Sequence, residues 1–141
     1  MTDETLKQFM RIVSSSRYAR IFLTLALEGP LSGYQIAKRH KDIGQNTYKC
    51  IRSLESLGLV KIIRIEQSNK PLPKKIISLT REGLILAILS PLPLLLYMQT
   101  GNSLDNFIEQ AFKNNKHLLD DRLKEKLLSA FELLKGVLEN D

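Results

Sequence analysis

One short segment of the chain carries amide, hydroxyl and basic side chains at the spacing of one helix face. Its candidate DNA-contacting residues are Gln45, Asn46, Thr47, Tyr48, Lys49, Arg52 and Ser53. Amide groups such as those of Gln45 and Asn46 can pair with adenine, and a basic group such as Arg52 can bind guanine or phosphate. An ordinary solvated helix face would contain similar residues. The basic, hairpin-like segment that follows favours the interpretation that this face binds a DNA groove.

A second set of basic residues flanks this segment on both sides. It consists of Lys38 and Arg39 before the segment and Lys70, Lys74 and Lys75 after it. Basic residues that contact phosphate supply affinity that falls steeply with salt and carries little sequence preference. Lysine and proline in a hairpin also discourage edge-to-edge strand pairing, and the two roles are compatible. These five residues are therefore candidate phosphate contacts.

The positive charge is concentrated in the N-terminal part of the chain. The net charge is +6 over 141 residues, enough for one domain, or for one small domain with a helical extension. Residues 1–83 hold 15 Lys and Arg against 7 Asp and Glu, and residues 84–141 hold 6 against 8. A basic half joined to a mildly acidic half is expected if only the first half meets phosphate. Scattered surface charge is the alternative, so the charge distribution supports phosphate binding only in combination with the side-chain pattern.

Residues suited to catalysis or metal binding are sparse. His40 and His117 lie far apart in the sequence, and neither has cysteine or carboxylate partners at metal-ligand spacing. Cys50, the single cysteine, falls on an apolar helix face and is predicted to fill the core. We therefore expect no enzyme activity, no metal site and no cofactor. The lone cysteine and a polar N-terminus without the apolar stretch of a secretion signal predict a cytoplasmic protein.

The elements that must position these residues are predicted from periodicity and from helix breakers. Apolar repeats and the serines at 14–16 predict two opening helices, or one long bent helix, ending at Gly29-Pro30. Ser32 is the predicted N-cap of a short helix that carries Lys38 and Arg39, and a tight turn at 42–44 follows.

The helix with the candidate DNA contacts comes next. It is predicted to begin at residue 45 or 46 and to end near Leu57, with Gly58 after its last turn. Its apolar stripe consists of Cys50, Ile51, Leu54 and Leu57. Residues 59–67 are rich in Ile and Val and predict one strand, and residues 74–79 predict its partner. The segment between them contains two prolines, which do not fit within a strand ladder, so it is predicted to be the turn of a β-hairpin.

The C-terminal part is predicted to be helical. Thr80 is a candidate N-cap, and the apolar run 83–98 is too short, and too broken by Pro91 and Pro93, for a membrane-spanning helix. That run predicts a buried helix–turn element or a subunit contact. Two amphipathic helices follow, with the stripes Leu104, Phe107, Ile108, Ala111, Phe112 and Leu123, Leu127, Phe131, Leu134, Leu138. These stripes either mediate subunit association or fold back as core, and paired half-sites in DNA favour a homodimer.

Three short motifs in this order resemble the winged helix-turn-helix of the PadR and MarR transcription regulators. They are Ser32-Gly33-Tyr34-Gln35-Ile36-Ala37-Lys38-Arg39, Leu54-Glu55-Ser56-Leu57-Gly58-Leu59-Val60 and Leu79-Thr80-Arg81-Glu82-Gly83. The region they cover is about half of the chain. The resemblance implies a mainly α (α+β) fold, with a winged helix-turn-helix and a two-stranded wing in residues 1–83. It also implies a helical dimerisation extension in residues 84–141, and a wing tip that reaches a minor groove or a row of phosphates.

The expected function is sequence-specific binding of double-stranded DNA by a homodimeric transcription regulator. Repression is expected because the sequence shows no additional activation region. The expected partners are double-stranded DNA and a second copy of the chain, without a membrane. A small-molecule effector bound near Pro91 and Pro93 is left open. The alternative is a winged-helix module for protein interaction, replication or assembly that binds no operator.

Overall fold

The computed structural model describes residues 2–44, 46–67 and 73–140, and within these ranges the chain is mainly helical with a small antiparallel sheet. The helices are α1 (Asp3–Val13), α2 (Ser16–Glu28), α3 (Gly33–Arg39), α4 (Asn46–Ser56), α5 (Arg81–Leu89), α6 (Pro91–Met98), α7 (Leu104–Asn114) and α8 (Asp121–Glu139), with a 3-10 helix at Lys116–Leu118. The strands are β1 (Leu31–Ser32), β2 (Val60–Glu66) and β3 (Lys74–Leu79). This arrangement agrees with the predicted mainly α, α+β class.

The helix boundaries follow local capping chemistry. Ser32 Oγ accepts a hydrogen bond from the Gln35 backbone N at 3.1 Å, and Gln35 Oε1 accepts one from the Ser32 backbone N at 2.9 Å, which together form a capping box. Thr80 Oγ1 accepts from the Gly83 N at 3.1 Å and begins α5. Gly29, with φ of +78°, ends α2 in a backbone conformation that glycine adopts without strain. The predicted caps at Ser32 and Thr80 are confirmed.

The sheet has one strand more than the sequence predicted. The strand order is β1–β3–β2, and both neighbours run antiparallel to β3, with Leu31 opposite Ile77. The predicted hairpin is confirmed by the pairing of β2 with β3. β1 was not predicted, because a two-residue strand is too short to show an alternating pattern. The ladder between β2 and β3 is irregular between Ile62 and Arg64. This irregularity explains the imperfect alternation of the β2 sequence.

The hydrophobic core is shared between the two parts of the chain. α2 packs against α5, α6 and α7, and α8 packs against α5, α6 and α7. Phe22 and Leu25 from α2 therefore belong to the same buried cluster as Phe107 and Phe131 from α7 and α8. The predicted division at residue 83 is thus not a boundary between separate cores, and it stays a prediction about the roles of the two parts.

The most apolar run forms a bent pair of helices. α5 ends at Leu89, and Pro91 occupies the first position of α6, where a missing backbone N–H costs nothing. No single helix within the described ranges is both long enough and apolar enough to cross a membrane. α5 and α6 meet those criteria only when taken together, and they are bent by 58° relative to each other.

Candidate nucleic-acid interface

α4 is held by apolar residues on one side and leaves its other side to solvent. Cys50, Ile51 and Leu54 are 2%, 7% and 0% exposed, as the predicted stripe requires. The helix packs against α3 and β2, so two elements fix its orientation. A helix buried along one stripe and polar along the opposite one has the form needed to enter a major groove.

The exposed side of α4 carries most of the residues predicted there. Asn46, Tyr48, Lys49 and Arg52 are exposed, and Ser53 is half-buried. None of the ion pairs between described residues involves Lys49 or Arg52, so both charges are available to bases or phosphates. The Tyr48 ring lies over Gly33, where an added Cβ atom would come within 3.2 Å of Tyr48 Cε1. Gln45 lies outside the described residues.

The assignment of Thr47 to this exposed side is wrong. Thr47 is 0% exposed, and its Oγ1 has no hydrogen-bond partner among the described residues. It precedes Cys50 by three positions and Ile51 by four, so helical geometry places it on the buried stripe. The helical spacing of Thr47 thus indicates a buried position, whereas its hydroxyl group led to the prediction of an exposed one.

The two basic residues of α3 differ in availability. Lys38 is exposed and has no ion-pair partner in the described ranges. Arg39 is held by Glu28, with Nε donating to both carboxylate oxygens at 2.8 Å and 2.7 Å, and by the Gln35 carbonyl. The hydrogen bond with Glu28 raises the pKa of Arg39. Arg39 must therefore give up an intramolecular ion pair before it can bind phosphate.

The β-hairpin carries further exposed lysines. Lys74 and Lys75 are exposed at the start of β3, opposite Glu66 and Ile65 of β2. Arg64 Nε donates to Glu66 Oε1 at 2.9 Å, so that acidic side chain is already neutralised. β2 contacts α4, so the hairpin that carries these lysines packs next to that helix. Lys70 and the rest of the turn at 68–72 lie outside the described residues.

The turn before α4 is anchored by residues that sequence reasoning missed. Arg20 of α2 forms two parallel hydrogen bonds with Asp42, Nη1 to Oδ2 at 2.8 Å and Nη2 to Oδ1 at 2.7 Å. His40 Nε2 lies 2.8 Å from Thr24 Oγ1, and its Nδ1 lies 3.5 Å from Arg20 Nη2. Contacts between residues about 20 positions apart leave no periodic pattern in a sequence, so only the fold reveals them.

The residues that could suggest catalysis or metal binding occupy structural positions. His117 Nε2 lies 2.8 Å from Ser78 Oγ, and Cys50 is buried, which raises the pKa of its thiol. No group of three or more histidine, cysteine or acidic residues within the described ranges is placed to hold a metal ion. Buried Cys50 agrees with its predicted role in the core.

The C-terminal helices use their predicted stripes internally. Leu127 and Phe131 are 3% and 0% exposed. A different pair on α8, Leu133 and Val137, is 77% and 70% exposed. Gly136 lies between them, and an added Cβ there would meet no atom within 4 Å. This second stripe of α8 has no apolar partner in the described part of the chain.

The cavity beside Pro93 is too small for an effector. It has a volume of about 10 Å³ and is lined by Ile12, Ala19, Phe22, Leu86, Ser90 and Pro93. That volume is at the lower limit for a single water molecule. A wider open groove of about 820 Å³ runs between α7 and α8 and includes Phe112 and Lys124, whose Nζ lies 5.6 Å from the ring centroid.

No protein-family model, curated protein or solved structure matches this chain.

Proposed function

We propose that the protein is a winged helix-turn-helix regulator of transcription that binds double-stranded DNA in a sequence-specific way. In this proposal α3 and α4 form the helix-turn-helix, α4 enters a major groove, and the hairpin β2–β3 is the wing beside a minor groove. Binding over a promoter would block access to it, which makes the protein a repressor. It would act as a homodimer in the cytoplasm.

The observation that carries the proposal is the exposed face of α4. Lys49 and Arg52 project from the side opposite the buried stripe and have no ion-pair partner among the described residues. Asn46 adds an amide that can pair with adenine. The exposed lysines Lys74 and Lys75 lie on the neighbouring hairpin and supply positive charge for phosphates. A major-groove reader needs this combination of a polar helix face and flanking charge.

The dimer in this proposal forms through the exposed stripe of α8. Its members are Leu133, Gly136 and Val137, which remain without an apolar partner after the core is complete. Two copies related by a two-fold axis would present two α4 helices to successive half-sites. The dimer then presents twice the surface to DNA that a single copy presents.

The test is selection of bound duplexes from a random pool, followed by titration of the best duplex against salt. Lys49→Ala and Arg52→Ala are each compared with Lys113→Ala, which removes the same charge from α7. If the lysine contacts phosphate, its loss weakens binding to all sequences and lowers the salt slope by about 1. If Arg52 contacts a base, its loss costs about 1–3 kcal/mol and relaxes the preference at one position. Unchanged affinity in both variants at moderate salt would show that α4 is not the recognition helix.

A second candidate function is a protein-interaction module for replication or assembly. The observation that favours it is apolar exposure on the same elements, since Tyr48, Ile62 and Ile65 are 45%, 40% and 60% exposed. Exposed apolar side chains are common at protein interfaces. Such a module would not bind duplex DNA even at low salt, whereas a regulator would lose affinity steeply as salt rises.

A further inference from the structure

A network of side chains joins α2 to the turn that precedes α4. The Arg20 guanidinium and the Asp42 carboxylate form two parallel hydrogen bonds of 2.8 Å and 2.7 Å. This paired geometry fixes the orientation of both groups, unlike a single contact. His40 lies beside them and is 6% exposed. Asp42 is anchored in this way although its side chain is 66% exposed.

The hydrogen bonds of His40 specify one tautomer. Arginine can only donate, so Nδ1 of His40, at 3.5 Å from Arg20 Nη2, must act as the acceptor. Nε2 therefore carries the ring hydrogen and donates it to Thr24 Oγ1 at 2.8 Å. The network is complete only with a neutral imidazole.

The same residues connect directly to the first turn of α4. The His40 carbonyl accepts hydrogen bonds from the backbone N of Ile43 at 3.0 Å and of Gly44 at 3.4 Å. The Gly44 carbonyl in turn accepts one from the Thr47 N at 3.1 Å, within α4. An unbroken series of hydrogen bonds thus runs from α2 to the start of the helix that carries Lys49 and Arg52.

We propose that Arg20, His40 and Asp42 are positioning residues for DNA recognition, which fix where α4 begins without contacting DNA themselves. This inference rests on the proposed function. Base contacts depend on placement within a fraction of an ångström, whereas phosphate attraction tolerates displacement. Loss of the network should therefore reduce discrimination between target and non-target duplexes more than it reduces general affinity for DNA.

The test uses two substitutions of opposite charge. Arg20→Gln removes a positive charge and Asp42→Asn removes a negative one, and each breaks the same pair. We expect both to lower the ratio of specific to non-specific affinity by about fivefold or more, comparable to impairing one base contact. The double variant should be no worse than either single one, because the three variants lose the same interaction. If the residues acted only through their charge, Arg20→Gln would weaken binding and Asp42→Asn would strengthen it.

A matched control is the ion pair between Lys135 and Asp105, which joins α8 to α7. Lys135→Gln and Asp105→Asn change the charge in the same two directions but are remote from the turn, so the specificity ratio should not change.

A second measurement needs no DNA. Amide hydrogen exchange of Ile43 and Thr47 should be faster in both network variants, with amides of α7 unaffected. Wild-type protein that binds no duplex, but whose variants show this local exchange, would refute the proposed function and leave the network as a structural brace. A wild-type protein that binds its target, with variants that keep both the specificity ratio and the slow exchange, would overturn this inference alone.

Discussion

Two histidines are neutral parts of the folded protein. Burial is the main cause that lowers the pKa of His40, and the charge of Arg20 is the second. Burial also lowers the pKa of His117, followed by the charge of Lys61. Asp42 and Glu28 oppose the shift of His40, while Arg39 adds to it. Both imidazoles are therefore uncharged near neutral pH.

We expect the free energy of unfolding to fall as the pH is lowered from about 7.5 to about 5. The unfolded chain takes up protons on histidine near pH 6.5, whereas the folded chain takes them up only at lower pH, so acid favours unfolding in this range. Asp42 does not contribute there, because its hydrogen bond with Arg20 holds its pKa at about 2. Urea denaturation at the two pH values measures the change.

The assignment of this pH dependence to His40 has an internal control. His40→Gln should flatten the dependence more than His117→Gln, since His40 is 6% exposed, whereas His117 is largely accessible to solvent and its imidazole is only partly desolvated. Wild-type stability that stayed constant or rose on acidification would show that neither histidine is held neutral by the fold.

At the scale of elements, the sequence predicts features that depend on periodic spacing of apolar residues and does not predict features that lack such a period. Cys50, Ile51 and Leu54 recur at helical spacing, so the buried side of α4 was predictable. Thr47 lies on the same stripe, but it was predicted to be exposed because its side chain is polar. β1 has two residues and no measurable period. The pair of Arg20 and Asp42 joins distant positions, so local patterns carry no information about it.

Two glycines within helices give opposite predictions for the same substitution. A Cβ at Gly83 in α5 would come within 2.0 Å of the Leu59 carbonyl oxygen, which is backbone and cannot move aside cheaply. Gly83→Ala should therefore destabilise the protein by about 1–3 kcal/mol or more. A Cβ at Gly136 in α8 would meet nothing, so Gly136→Ala should stabilise the helix by about 0.5–1 kcal/mol.

The comparison requires denaturation of both variants at low protein concentration, so that association does not contribute. Gly83→Ala tests the packing directly, because a variant as stable as the wild type, or more stable, would mean that α5 is not so close to the segment before β2. The pair shares one chemical change, and only the surroundings differ.

At the scale of the whole molecule, α7 ties the C-terminal helices to the end of α2. Asn115 Nδ2 donates to the Ala26 carbonyl at 2.9 Å and to the Ala111 carbonyl at 3.0 Å, and Asn114 Nδ2 donates to the Leu27 carbonyl. These carbonyls belong to the last turn of α2 or to α7 and need partners because the helices end there. A dimer formed by the C-terminal helices would therefore hold two α4 helices at a fixed separation.

A two-fold axis near Gly136 would bring together the stripes of Leu133, Gly136 and Val137 from two α8 helices. A Cβ at Gly136 would meet no atom within 4 Å in one copy, which leaves room for the second copy. Close approach at a glycine would also explain why a residue that weakens an isolated helix occupies this position.

We therefore expect the wild-type chain, of 16.1 kDa, to form a dimer in solution, and Leu133→Glu to form a monomer. A carboxylate on this stripe would be buried against the second copy without a partner. Leu128→Glu is the matched control, since Leu128 is 41% exposed on the opposite side of α8. Light scattering coupled to gel filtration gives the masses. The monomeric variant should also lose the preference for paired half-sites, because two recognition helices would no longer be linked. If Leu133→Glu has the same mass as the wild type, the stripe is not the dimer contact.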